Sequence, residues 1–360
     1  MKVVLDTNIL WQDLPLRSRK FEMLFDFVTK TRSEIVLPQI VYQELEAVYR
    51  REAERRLNDF RKARDILGRI FLSFDVADVE IEIDVQVSQY LAYVCKRLGI
   101  TEEDIVPYRD DYLSCLVNRA IERKRPCSDK GEEFRDALLW MTVLDIAETR
   151  RSENVAFISG NIRAFADKDK SLHPDLVKEV VQRNVSVSYY DSLDTFLRKH
   201  ATKFEFITKD WILATVDTET TRRRIDNLLE MIGDMRLSRW LGGRDSSFSE
   251  FQSAYLVGVE DVMDFYAYEM SDGAIQVAAV LVCEVEAEYT AVEEEEEEYL
   301  GWGYGFDPSK GDFDFGHTLQ TRICETEKFK LAYPEIVVDA HITLLGKEVK
   351  EIEIVDLELA

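Results

Sequence analysis

In the first half of the chain, short unbroken apolar runs alternate with stretches of helical spacing. Val3-Val4-Leu5, Glu34-Ile35-Val36-Leu37, Val155-Ala156-Phe157-Ile158 and the segment 185–190 read as strands, the first suited to burial on both faces of a parallel sheet. Between the first two, Phe21, Leu24, Phe25 and Val28 share one helical face. Pro38 ends the second strand and opens a helix, because a missing N–H costs nothing in a first turn. On that helix Val41, Glu44 and Val48 form one stripe that leaves out Glu46, and the helix continues through a charged run to Arg69. A strand-like segment is expected near 76–87, helices around 90–98 and 111–121, a helix apolar nearly all round over 130–144, and a closing helix to about 199. Strands alternating with helices imply a parallel sheet with helices on both faces.

From about residue 201 the pattern changes. A helical region holds Thr221-Arg222-Arg223-Arg224-Ile225 and Leu228-Leu229-Glu230-Met231-Ile232, after which alternation at 275–289, 335–343 and 349–359 predicts strands. Asp272-Gly273 and Leu345-Gly346-Lys347 are turn signals, so a meandering antiparallel sheet is expected. Six consecutive glutamates at 293–298 and a glycine-aromatic stretch at 301–316 read as a solvated, mobile hairpin connection. The expected organisation is an α/β domain over 1–200 and an α+β domain with a mainly antiparallel sheet over 201–360.

Charge divides the chain at the same place. Residues 1–200 hold 32 Lys and Arg against 35 Asp and Glu, whereas 201–360 hold 14 against 35, so nearly all of the net charge of -24 lies in the second half. A surface that negative repels phosphate backbones, which assigns any nucleic acid to the first half. The second half is expected to bind a protein partner or itself, or to lay its glutamates across the basic helix and restrain it; keeping the protein soluble is the simplest alternative. No apolar run reaches transmembrane length and the chain enters a strand directly, so the expected address is cytoplasmic, with no membrane partner. Five scattered cysteines without a Cys-x-x-Cys pair and four scattered histidines suggest neither a disulfide framework nor a zinc site. Any catalysis therefore rests on carboxylates.

Asp6 follows the first strand, at the sheet edge where α/β proteins bind ligands, although an isolated Asp-Thr-Asn reads first as a helix cap. Glu44 lies on a buried stripe, which is costly unless something pairs with it. Asp136 begins the apolar helix, where Arg135, Lys130 or a bound cation would answer its charge. The loop 159–167 leaves the third strand toward the same edge. Carboxylates brought together repel unless divalent cations neutralise them, and oxygen ligands without histidine or cysteine suit Mg2+ or Mn2+. Phosphodiester hydrolysis fits such a site.

Four pieces occur in a telling order: Val-Val-Leu-Asp-Thr-Asn at 3–8, Leu-Pro-Gln-Ile-Val-Tyr-Gln-Glu-Leu at 37–45, Phe-Arg-Asp-Ala-Leu at 134–138 and Val-Ala-Phe-Ile-Ser-Gly-Asn at 155–161. Together they resemble the PIN domain, the nuclease fold of toxin–antitoxin ribonucleases, RNA-processing enzymes and, more distantly, flap endonucleases. The resemblance covers roughly 1–195 and implies a three-layer PIN-like domain around a central parallel sheet. The long insertion between Glu44 and Asp136 is similar to that of larger bacterial members. Implied roles are Asp6, Glu44 and Asp136 as metal-binding acids, Thr7 and Asn8 as their support with Ser159 and Asn161 in the loop, and water attack giving a 5'-phosphate and a 3'-hydroxyl. Many members carry acids in a Thr-x-Asp-x-Asp-Phe loop, whereas this chain has Asn161 and Ala164 there. Asp167 then replaces the missing acid, or Asn161 coordinates as a neutral ligand. Arg51, Arg55, Lys130 and Arg135 are the candidate phosphate-binding residues; the run 50–69, with 8 basic against 4 acidic residues, also reads as a solvated face of i,i+4 ion pairs. The expected activity is a metal-dependent endoribonuclease, with DNA as the weaker substrate. The alternative is a non-catalytic PIN-like scaffold binding a protein or nucleic-acid partner.

Overall fold

The computed structural model describes residues 1–71, 80–127, 133–149, 151, 153–307 and 312–359, with backbone alone at 232–236, 294–307 and 312–323. It divides into two compact units, Met1–Ala201 with Tyr268–Asp272, and Thr202–Ala267 with Gly273–Ala360.

The first unit is built on four parallel strands, β1 (Lys2–Leu5), β2 (Glu34–Val36), β3 (Val155–Ile158) and β4 (Val187–Tyr190), in the order β2-β1-β3-β4. The two most apolar runs occupy the centre: every residue of β3, and Val3 to Leu5 of β1, is buried. Leu5 pairs with Ile158 and Ile158 with Tyr190. That register sets the residues that follow, Asp6, Ser159 and Asp191, along one edge of the sheet.

Helices α1 (Thr7–Trp11), α2 (Arg19–Thr31), α3 (Gln39–Ile70), α4 (Ile83–Leu98), α5 (Leu113–Ile121), α6 (Phe134–Thr149), α7 (Ile162–Phe165), α8 (Pro174–Arg183) and α9 (Leu193–Lys199) complete the unit. Pro38 is the cap residue of α3, and α6 is buried on nearly every face, as its composition requires. The strand expected near 76–87 is corrected: 76–79 lie outside the described residues, and from Ile83 the chain is helical. Alternating Ile81, Ile83, Val85 and Val87 mimic a strand, but Val87, Tyr90, Leu91, Val94, Cys95 and Leu98 are the buried positions and share a helical face. Tyr90 of α4 stacks on Tyr49 of α3 at 4.0 Å, and Gly99 ends α4 with φ of 71°.

The second unit opens with α10 (Lys209–Val216) and α11 (Glu219–Arg244), followed by β5 (Phe248–Glu269), β6 (Ala274–Asp307), β7 (Asp312–Ala332), β8 (Glu335–Leu345) and β9 (Glu348–Leu359). Its sheet runs β5-β6-β8-β9, with β7 also paired to β6. Alternate residues Val277, Ala279, Leu281, Cys283 and Val285 of β6 enter a core with Ile212 and Val216 of α10 and Ile225 and Leu229 of α11. The polar hairpin connection expected at 293–298 and 301–316 is corrected, because the described backbone there is antiparallel ladder, from Glu293 opposite Thr326 to Asp307 opposite Asp312. Strand partners satisfy the backbone, and Glu293 meets Lys330 at 2.7 Å and Lys328 at 3.1 Å, so charge alone does not forbid the strand. Residues 308–311 and the side chains of 294–298 lie outside the described residues. Among the described residues, no helix is long and apolar enough to cross a membrane.

One buried ion pair ties the first unit's helices together. Glu179 of α8 accepts from both Arg119 of α5, at 2.7 and 2.9 Å, and Trp140 of α6, at 2.9 Å, and pairs with Lys124. Removing one member of such a group strands the other charge. Glu179→Ala should destabilise the first unit by about 3–5 kcal/mol in urea unfolding at pH 7, more than Glu179→Gln; a loss below about 1 kcal/mol would show that Arg119 finds another partner.

Candidate functional site

The edge set by the β1–β3 register gathers most of the expected residues. Asp6 is 4% exposed and does cap α1, accepting from the Thr7 amide at 2.6 Å, yet its second oxygen takes the Ser159 hydroxyl at 2.5 Å and the Asn8 amide group at 2.8 Å. The cap and the site are therefore one group. Asn8 reaches across the sheet, where its Oδ1 accepts from the Gly160 amide at 2.9 Å. The Thr7 hydroxyl donates to Glu44 Oε2 at 2.8 Å, joining the β1–α1 corner to α3. The other oxygen of Glu44 pairs with Arg135 of α6 at 2.9 Å.

Asp136, in the first turn of α6, accepts from the Asn161 side-chain amide at 3.0 Å. Asn161 is held in turn by its backbone amide donating to Ser159 Oγ at 3.1 Å and by its Oδ1 capping α7 through Ala164. The Asn161 position thus reads as a donor clamp on Asp136. Of the two basic residues considered as partners of Asp136, Arg135 pairs with Glu44 instead, and Lys130 lies outside the described residues.

Burial pushes the Asp6 carboxyl up to about 6; the Ser159 and Thr7 hydrogen bonds oppose this and the charge of Glu44 adds to it. Asp136 is also pushed up to about 6, by burial first and then by the charge of Asp6, with Asn161 and Arg135 opposing. Asp6 therefore feels the charge of Glu44, and Asp136 feels the charges of Asp6 and Glu44. Among the described residues no ion pair answers Asp6, and no three His, Cys, Asp or Glu side chains stand arranged as a formed metal site. The donor chemistry nevertheless fits a hard divalent ion: oxygen atoms only, with Asp6 buried and its charge met by neutral donors.

Two further expectations are resolved. Asp167 is not brought to the acids: it is exposed in the turn after α7, where its carboxylate accepts from the Lys168 amide at 2.8 Å. Sequence reasoning missed Asp191, which follows β4 as Asp6 follows β1, with its side chain 10% exposed. The strand end Tyr189-Tyr190-Asp191 carried that signal. Burial raises its carboxyl, but the Thr195 hydroxyl and Lys170 ammonium outweigh this and hold it below the usual range. Along α3, Arg55 and Arg56 share Glu52, Arg50 pairs with Glu46 and Asp84, and Arg64 meets Asp65, so much of the run is self-paired; Arg51 is exposed.

Fold and site together define a parallel α/β domain whose ligand edge is furnished with carboxylates. Residues 3–165 match the family model of the PIN domain, and the first unit belongs to that family. PIN domains are in general nucleases and typically use divalent metals, which places the activity coarsely among phosphodiester hydrolases. Comparison with curated proteins and with solved structures gave no match.

The raised acids make a stability prediction. A carboxyl whose folded value, about 6, exceeds its ordinary 3.8 contributes stability that is fully present below the lower value and is lost as pH rises through the higher. Asp136→Asn should therefore raise the melting temperature at pH 7.5 without divalent ions, while leaving it close to wild type at pH 4. Equal or lower melting temperatures at pH 7.5 would show that the charge on Asp136 is compensated.

Proposed function

We propose that the first unit is a metal-dependent endoribonuclease in which Asp6, Glu44 and Asp136 hold Mg2+ or Mn2+. The observation that carries this reading is Asp6 itself: a carboxylate buried at the carboxyl end of the central strand, among neutral donors, within the electrostatic reach of two other acids. Such a group is costly unless a cation offsets it. Thr7 orients Glu44, Ser159 and Asn8 orient Asp6, and Asn161 orients Asp136, so each proposed ligand has a fixed second contact. When bound, the divalent ion supplies polarisation of the phosphoryl oxygens and charge for the leaving group. RNA is the proposed substrate, supported by the resemblance to RNA-cutting PIN domains, with DNA second. Arg51 and Arg135, both exposed, are proposed to face its phosphates. Asp191, paired with Lys170, is proposed as the fourth acid in place of Asp167.

Purified protein with Mn2+ or Mg2+ should degrade an RNA panel, and Asp6→Asn or Asp136→Asn should lower the rate by at least about a hundredfold, the scale on which catalytic groups act. Cleavage that survives EDTA, or persists in both variants, would overturn the assignment. The second reading, a non-catalytic scaffold, is favoured by the neutral Asn161 clamp and by the lack of a formed metal site among the described residues. It predicts no metal-dependent cleavage but retained RNA or protein binding.

The acidic second unit is proposed to serve a protein partner or self-association. Replacing the glutamates at 293–298 with glutamine in the full chain should then leave the cleavage rate unchanged. A faster rate whose excess shrinks as salt rises would show instead that this stretch restrains the nuclease.

A further inference from the structure

Of the three proposed metal ligands, Asp6, Glu44 and Asp136, Glu44 is the one that, among the described residues, sits in an ion pair with a cation of the chain. Arg135 Nη1 lies 2.9 Å from Glu44 Oε1, while Glu44 Oε2 accepts from Thr7, so each oxygen already has one partner. The two ends of this pair differ in freedom. Glu44 is 18% exposed and is fixed by Thr7, whereas Arg135 is 71% exposed and springs from the first turn of α6, directly before the inward-facing Asp136. An ion pair with one end in solvent is weak and easily exchanged, and a planar guanidinium matches a phosphate as well as it matches a carboxylate.

We propose that Arg135 is an exchangeable counter-ion that sits on Glu44 when no divalent ion is bound and passes to a substrate phosphate when one takes Glu44. The inference rests on the proposed metal site and assigns Arg135 a role beyond general attraction of RNA. Its consequence is coupling. Arg135 would leave Glu44 when a divalent ion is held there, and the freed guanidinium would favour the phosphate, so each ligand would strengthen the other by the same factor. Without RNA, the arginine lowers the affinity of the site for metal; with RNA, that loss is recovered.

The test uses the full chain and two probes, Mn2+ followed by electron paramagnetic resonance or calorimetry, and a phosphorothioate oligoribonucleotide. Arg135→Gln should bind Mn2+ alone about two- to fivefold more tightly than wild type, the range an exposed ion pair commands. Arg135→Lys, which keeps the charge, should stay near wild type. Mn2+ should raise the oligonucleotide affinity of wild type by a factor at least about twice that in Arg135→Gln. Mn2+ affinity in Arg135→Gln equal to or below wild type would overturn the proposal, provided Asp6→Asn abolishes wild-type Mn2+ binding. Tighter Mn2+ with undiminished coupling to the oligonucleotide would overturn the transfer to phosphate. Wild-type Mn2+ binding that is absent or indifferent to Asp6→Asn would bring down the metal site itself, and this inference with it.

Discussion

The site depends on holding one carboxylate out of water without a resident positive charge. Asp6 is kept at its strand end by the Thr7 amide, the Asn8 side chain and the Ser159 hydroxyl, and no lysine or arginine among the described residues stands against it. Burial opposes ionisation and these neutral donors restore only part of what is lost, so the group stays high. A protein selected for stability alone gains by placing an arginine there or an apolar side chain. Ser159 and Asn8 matter because they come from opposite sides of the β1–β3 junction, so a correctly registered sheet is needed to orient Asp6.

Much of this was legible in the sequence, for physical reasons that differ by residue. Val3 to Leu5 and 155–158 are apolar without interruption, and only central parallel strands tolerate that pattern, so the sheet and the position of Asp6 followed directly. Glu44 stood out because its stripe neighbours are apolar. The partner of Arg135 did not follow, because residues adjacent on a helix point to different faces and spacing does not say which of them a distant glutamate meets. Asp191 was passed over because β4 is a half-polar edge strand whose end carries little contrast. The expected strand near 76–87 misled for the opposite reason: its alternation is real, but tertiary packing against α3 decided the matter.

The two units bury their cores by different rules. In the first, the buried helix α6 and the central strands leave polarity to the strand ends, and the ion pair around Glu179 is the exception that fastens α5, α6 and α8. In the second, alternation does the sorting: alternate residues of β6 from Ile275 to Ala287 enter the core. Acidity there is concentrated on positions that the core does not use, which is why a strongly negative composition still folds.

The long strand β6 carries a consequence of its own. Besides its pairing with β5, its first part pairs with β8 and its later part with β7, so a single backbone passes from one partner strand to the next along its length. Side chains in a strand change face at every residue; a slip of one position would turn Val277, Ala279 and Leu281 outward. The apolar base therefore acts as the index mark for the whole strand, fixing which residue each of the glutamates at 293–298 stands opposite, although those glutamates supply no apolar contrast of their own. The alignment of the acidic stretch is inherited from a core that begins some twenty residues before it.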